Sequence, residues 1–280
     1  MKDANAKEFF ATIVYRAFLK MAKVYWSLTG GRKEEVFGYN FRFLPSTHYP
    51  AYFGLRLPKG SIETTIVRYG DYVQLHSAYA FLMGLSHPPT LVDIGAHHGV
   101  YAILLGEIIR QRNGTVIAIE PDPHAFEVLC RNVKMNGLEN TVVCENVAVM
   151  ERAGSFRFSS EGEQSHIAEA EKSRGVSVAA TTLATILEKH SIANVDLLLI
   201  DVEGAELNVL RGADWKKHTF GMIFCELHPY NWKLFNYTGN DVAAFLTERG
   251  YRCFDMYMRE HKQFTGEAYI GPTLFVERDV

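Results

Sequence analysis

Four residues in the second half of the chain stand where acid–base chemistry is commonly placed. Asp201 and Glu203 follow the apolar run Leu197-Leu198-Leu199-Ile200, and Glu226 and His228 follow Met222-Ile223-Phe224-Cys225. A histidine beside a carboxylate is a proton acceptor tuned to neutral pH. If the two runs are adjacent strands of a parallel sheet, their C-terminal ends share one mouth, where such sheets bind ligands. The simplest assignment makes His228 a general base and Glu226 its orienting partner, with Asp201 and Glu203 positioning cofactor or substrate. The cluster also offers oxygen ligands and an imidazole to a divalent cation, an alternative not favoured over the metal-free one. Two structural roles compete: Glu203 can cap a helix beginning at Gly204, and His228 can be a turn residue before Pro229.

A second constellation lies upstream. Leu91-Val92-Asp93-Ile94-Gly95-Ala96-His97-His98-Gly99 reads as a strand, a tight turn and the start of a helix. Its two glycines permit a sharp turn and close backbone approach. Three kinds of ligand suit such a turn. A nucleoside triphosphate needs G-x-x-x-x-G-K-S/T, which is missing here. A dinucleotide prefers G-x-G-x-x-G, whose middle glycine admits the pyrophosphate; here the spacing is G-x-x-x-G and His97 fills that position. S-adenosylmethionine carries no phosphate, and its cationic end suits a nearby carboxylate such as Asp93. In Ile117-Ala118-Ile119-Glu120-Pro121-Asp122, Glu120 ends the next apolar run about 20 residues on, where an acid accepts hydrogen bonds from ribose hydroxyls. That excludes a 2′-phosphate without separating S-adenosylmethionine from NAD.

These residues need a scaffold that aligns strand ends. From residue 90 onward, strand candidates at 90–94, 115–119, 141–144, 196–200, 221–225, 251–255 and 272–277 alternate with helix candidates at 99–111, 123–136, 181–190, 204–212 and 239–249. The alternation predicts an α/β fold with a doubly wound, mostly parallel sheet. Ser155–Phe158 suggests an extra β segment, and 159–175 reads as a mobile surface loop. Upstream, residues 5–28 read as a basic amphipathic helix that packs on its own domain, contacts a second copy in a homodimer, or rests weakly on a membrane surface. Residues 36–69 alternate aromatic and polar positions like short strands, and a helical stretch ends near Gly84. The expected division is an N-terminal cap or edge segment at 1–70 and a ligand-binding domain at 71–280.

Composition narrows the partners. A formal net charge of −3 gives no reason to expect nucleic-acid binding. Cys130, Cys144, Cys225 and Cys253 show no C-x-x-C spacing, so reduced thiols in a cytoplasmic protein are expected. No apolar run approaches the ~18 residues of a membrane span, and the N-terminus is a poor signal peptide.

Taken together, the motifs resemble the FkbM family of S-adenosylmethionine-dependent methyltransferases. Asp93–Gly99 is similar to its first motif and Glu120-Pro121-Asp122-Pro123 to its second. Ile200-Asp201-Val202-Glu203-Gly204-Ala205-Glu206, followed by Val209-Leu210-Arg211-Gly212, is similar to its most characteristic segment, and Glu226-Leu227-His228-Pro229 to the end of its next strand. The resemblance implies a seven-stranded class I methyltransferase (Rossmann-like) sheet with one antiparallel strand near the C-terminus. It implies S-adenosylmethionine as cofactor, surrounded by Gly95, Glu120 and the 145–148 segment; the candidate cofactor contacts are therefore Asp93, Gly95, Ala96, His97, Gly99, Glu120, Pro121, Asp122, Asn146, Val147, Ala148 and Asp201. It implies methyl transfer, usually to an oxygen of a sugar, polyketide or related small metabolite. The chain departs from the family pattern at His97, where asparagine is usual, at Leu199, where lysine is frequent, and at Ala184, where aspartate is frequent. Those departures keep open a non-catalytic binding or scaffold protein on the same fold, and an NAD-dependent oxidoreductase is a third alternative. Tyr69, Tyr72, Tyr230 and Trp232 are candidates for lining an acceptor pocket.

Overall fold

The computed structural model describes residues 32–44, 47, 74–161, 164–168, 176–255, 259–261 and 274–278. The helix expected at 5–28 lies outside them, as do Tyr69 and Tyr72. The described chain opens with an antiparallel hairpin, β1 (Arg32–Val36) and β2 (Tyr39–Phe43), then a helix α1 over 74–84. Strands and helices then alternate: β3 (Thr90–Ile94), α2 (Val100–Gln111), β4 (Thr115–Ile119), α3 (Pro123–Met135) and β5 (Val142–Glu145). An all-β insertion follows, comprising β6 (Ala148–Val149), β7 (Gly154–Glu161), β8 (Gln164–Ala168) and β9 (Val176–Thr181). Alternation resumes with α4 (Leu183–Lys189), β10 (Asn194–Ile200), α5 (Glu206–Arg211), β11 (Thr219–Cys225), α6 (Gly239–Thr247), β12 (Tyr251–Phe254) and β13 (Leu274–Arg278).

The main sheet has seven strands in the order β12-β13-β11-β10-β3-β4-β5. β13 runs antiparallel to both its neighbours, while β11, β10, β3, β4 and β5 pair in parallel. This is the doubly wound α/β architecture expected from the alternation, with the single reversed strand that the family resemblance implies. The central strands read as unbroken apolar runs because both faces are covered. Successive side chains point to opposite faces. Leu197 and Leu199 therefore join the core under α2, with Leu91, Ile103 and Leu105, whereas Leu198 and Ile200 join Leu207, Leu210 and Val242 under α5 and α6.

Two departures from expectation concern the edges. The stretch read as a surface loop at 159–175 instead begins with pairing, Ser159 opposite His166 and Ser160 opposite Ser165; residues 169–175 lie outside the described set. Ser159, Ser160 and Glu161, and opposite them Gln164, Ser165 and His166, carry no apolar phase, so periodicity passes over this end of the hairpin. β6, β9, β7 and β8 form a separate four-stranded sheet. The hairpin is built into the main core: Phe41 and Phe43 are buried in the cluster under α2. Its backbone is pinned to α3, because Arg42 N donates to Asn136 Oδ1 and Leu44 N to Asn132 Oδ1, each at 2.8 Å. The four cysteines are free thiols, and no helix among the described residues is long and apolar enough to cross a membrane.

Candidate active site

Strand ends converge at one edge of the sheet. Asp201 N donates to Ile94 O at 2.9 Å, Glu226 N to Ile200 O at 2.8 Å, and Gly95 N to Ile119 O at 2.9 Å. Each bond carries a ladder one step beyond its strand, so the turn at 93–99, Asp201 and Glu226 share a mouth. This closeness requires Gly95. Its φ is +85°, and a Cβ there would lie 1.7 Å from the Asp201 carbonyl oxygen. Gly99, with φ +81°, opens α2 where a Cβ would meet Leu129.

His97 also has a left-handed backbone, φ +49°. Asparagine and histidine are both enriched there, so the turn survives the exchange of one for the other. His97 N donates to Glu120 Oε2 and Asp122 N to Glu120 Oε1, both at 2.8 Å. Glu120 thus ties the 93–99 and 120–122 turns together, and each oxygen keeps a lone pair for a ligand hydroxyl. The His97 and His98 rings stack at 3.8 Å. Behind them, fully buried Asn132 donates to His98 O at 2.9 Å and to Thr47 Oγ1 at 2.8 Å.

The remaining cofactor candidates divide by role. Asp122, expected at the ligand, commits Oδ1 to His124 N and Ala125 N and caps α3, whose first turn begins with Pro123. Asn146 Nδ2 donates to Glu120 O at 2.8 Å and Pro121 O at 3.2 Å, fixing the second turn. Ala96 and Ala148 are buried and Val147 packs on the core, so these three offer a ligand their backbone more than their side chains.

Asp93 is buried and its Oδ2 has no hydrogen-bond partner among the described residues. Burial, then the charges of Asp201 and Glu120, push its carboxyl up to about 7. Burial likewise pushes Glu120 to about 7, against the pull of the Asp122 and His97 amides. Neither forms an ion pair with a basic side chain among the described residues. Clustered buried carboxylates repel a pyrophosphate and welcome a cation, so the residues fit S-adenosylmethionine better than a dinucleotide. Affinity for S-adenosylmethionine is expected to rise about tenfold from about pH 5.5 to about pH 8, as these two carboxyls ionise. Calorimetric titration checks this; a flat profile would mean that neither carboxylate meets the cationic end.

The acid–base cluster is assembled differently from expectation. His228 is 6% exposed, and its Nδ1 pairs with Glu206 Oε1 at 2.8 Å, not with Glu226. Glu226 Oε1 instead lies 3.8 Å from Nε2. The physical reason is that α5 packs beneath the strand ends and presents a fully buried carboxylate to the ring. Glu206 also accepts from Gly204 N at 2.9 Å, Trp232 Nε1 at 2.9 Å and Tyr237 Oη at 2.8 Å. Trp232 is therefore buried support for Glu206 and not an acceptor-pocket wall, whereas Tyr230 is 53% exposed and donates to Glu203 Oε2 at 2.6 Å. Glu203 and Gly204 take successive positive φ values, +52° and +110°, and Asn231 Nδ2 holds Glu203 O at 2.8 Å.

Burial alone would lower the His228 pKa, but the Glu206 bond and the charges of Asp201, Glu206 and Glu226 lift it to about 10. Despite its own burial, Glu206 is held below the usual carboxylate range by His228. An imidazole protonated in this way is a poor general base at neutral pH, so the role expected for His228 sits poorly with this surrounding of carboxylates. Asp201, with a side chain 53% exposed and Oδ1 3.6 Å from Nε2, is the better-placed acceptor. Glu206 is a site residue that the sequence reading does not single out. Its signal is its spacing from Val209 and Leu210, which puts a carboxylate on the buried face of α5. Leu199 is buried in the core, so that departure from the family pattern is a packing difference.

Residues 93–253, more than half of the chain, match the methyltransferase FkbM domain. The chain belongs to the FkbM methyltransferase family. Among curated proteins, this FkbM-family chain is similar to the methyltransferase sdnD of Sordaria araneosa, 26% identical over 166 residues, which cover 48% of this chain and 63% of that protein. It thus spans somewhat under two thirds of that relative. Among solved structures it is similar to the methyltransferase FkbM from Methylobacillus flagellatus KT, at 15% identity and TM-score 0.43 over 67% of this chain and 43% of the other. It is also similar to the precorrin-6y C5,15-methyltransferase of Geobacter metallireducens GS-15, at 15% identity and TM-score 0.40 over 72% and 85%.

Proposed function

We propose that the chain transfers a methyl group from S-adenosylmethionine to a hydroxyl oxygen of a small metabolite such as a sugar or polyketide. The observation that carries this reading is the position of Asp201. It adjoins the Asp93–Glu120 cradle on one side and the His228 cluster on the other. The bound donor supplies an electrophilic methyl group, so the protein's task is alignment and proton removal. The 93–99 turn and Glu120 hold the donor. Asp201 takes the acceptor's hydroxyl proton as the oxygen–carbon bond forms and the carbon–sulfur bond breaks, its electron pair passing to sulfur. His228, fixed by Glu206, presents Nε2 to the same mouth, 3.6 Å from Asp201 Oδ1. A carboxylate-lined mouth on a chain of net charge −3 disfavours a polyanionic acceptor, which supports a small hydroxylated molecule over nucleic acid.

The test uses S-adenosylmethionine labelled at the methyl group and pools of hydroxylated small molecules. Label is expected in base-stable ethers of low molecular mass. Label recovered only in nucleic acid or protein would overturn the acceptor class. Asp201→Asn is expected to slow turnover about a hundredfold, the low end for loss of a general base, with S-adenosylhomocysteine affinity changed less than about threefold. Unchanged turnover would remove Asp201 from the mechanism.

A further inference from the structure

We propose that Asp201, Glu203 and His228 form a binding site for one divalent first-row transition ion, with Glu206 supporting the histidine from behind. The acidic residues alone would not carry this. The deciding feature is the ring of His228, whose side chain is 7% exposed. Its Nδ1 is fixed by Glu206, while its Nε2 donates no hydrogen bond among the described residues and is aimed at three carboxylate oxygens. Asp201 Oδ1 and Glu203 Oε2 each lie at 3.6 Å and Glu226 Oε1 at 3.8 Å. An imidazolium settling into an ion pair would close on one of these to about 2.8 Å. Ligands that share an ion at ~2.1 Å lie roughly 3.0–3.4 Å from one another, close to the spacing seen. One oxygen or nitrogen from each of Asp201, Glu203 and His228 falls within 4.8 Å of the others.

The support behind the ring has the same character. Metal-bound histidines typically donate their second N–H to a carboxylate that is itself hydrogen-bonded. Here Glu206 is wholly buried and held by Trp232, Tyr237 and the Gly204 amide. Charge points the same way. Four carboxylates surround one imidazole, an imbalance that a dication reduces further than a proton does. Imidazole with carboxylates suits Mn2+, Fe2+ or Zn2+ more than Ca2+. Binding of the ion stands on this geometry alone. Its role in catalysis rests on the methyl-transfer reading: Asp201 would ligate through Oδ1 and keep Oδ2 for the acceptor's proton.

The experiment titrates the metal-stripped full chain with Mn2+, reading free aquo-Mn2+ by electron paramagnetic resonance, with and without S-adenosylhomocysteine. One ion per chain is expected, with nitrogen hyperfine coupling from His228. Asp201→Asn and Glu203→Gln should each weaken binding tenfold or more. Trp232→Phe, which removes one donor to Glu206, should weaken it by about tenfold, an effect that diffuse surface attraction would not give. Glu127→Gln, an exposed acid on α3, should leave it unchanged. Failure of the folded wild type to bind Mn2+, binding indifferent to the Glu203 and Asp201 changes, or bound Mn2+ without nitrogen coupling would each overturn the proposal. The coupling is read on the wild type, so it decides the matter even if a variant does not fold. Retained S-adenosylhomocysteine binding with no Mn2+ site removes the ion alone; the reverse removes the cofactor reading and leaves the ion.

Discussion

Glu206→Ala is expected to destabilise the protein by roughly 3–5 kcal/mol, the cost of breaking a buried charged pair by deleting one partner. The carboxylate is 0% exposed. It accepts from His228 Nδ1 and N, Gly204 N, Trp232 Nε1 and Tyr237 Oη. Alanine leaves those donors facing a dry gap, where each unsatisfied group carries its own desolvation cost. Glu206→Gln keeps the volume but turns an N–H2 toward groups that are themselves donors, so a smaller loss is expected. At about 2–4 °C per kcal/mol for a chain of this size, thermal melting separates the two variants easily. A loss below about 1 kcal/mol for alanine would mean that water reaches these donors and that Glu206 anchors nothing. In the glutamine variant, if it folds, the ring of His228 loses its fixed orientation, so turnover should fall further than S-adenosylhomocysteine affinity.

The second large effect is expected at the 93–99 turn. Gly95→Ala places a methyl group 1.7 Å from a backbone oxygen, at a φ of +85°. Neither problem can be relieved by rotating a side chain, because the obstacle is the backbone of Asp201. The ends of β3 and β10 must separate, and with them the residues on either side of the mouth. A loss of roughly 3 kcal/mol or more in urea denaturation is expected, together with loss of S-adenosylhomocysteine binding. Gly137→Ala supplies the comparison. Its φ is +65° with nothing within 4 Å of the added carbon, so it should cost only the left-handed penalty of about 1–2 kcal/mol. Equal losses at the two positions would show that the contact with Asp201 yields without strain.

The parts of this molecule that announce themselves in the sequence are those governed by local rules. The buried parallel strands, such as Thr115–Ile119 and Asn194–Ile200, are apolar runs ended by an acid or a glycine. Asp122 and Pro123 mark the start of α3 within a single turn. What stays hidden depends on partners brought together by the fold. The meaning of Glu206 is set by His228, Trp232 and Tyr237, which lie 22, 26 and 31 residues away. Glu226 reads as the natural partner of His228 because it is close in sequence and both follow one strand. The opposite ring nitrogen, turned toward α5, is what decides the matter. The four-stranded insertion is legible only in part, at Ser155–Phe158, for a different reason. Phe156 and Val178 mark part of it, but the polar end of its hairpin, Ser159–Glu161 opposite Gln164–His166, leaves no hydrophobic trace.

The position of β13 has a consequence for how small a working unit can be cut from this chain. Among the described residues β12 reaches the sheet only through β13, yet β13 lies past the family-matched span of 93–253, and β1, β2, α1 and β3's first residues lie before it. Excising the matched span would strand β12 at an unpaired edge and uncover the surface on which Phe41 and Phe43 pack. It would also take Leu44 and Thr47 away from Asn132, the residue that grips the carbonyl of His98 within the 93–99 turn. The evolutionary module and the mechanical module are therefore different objects here, and the second is the larger.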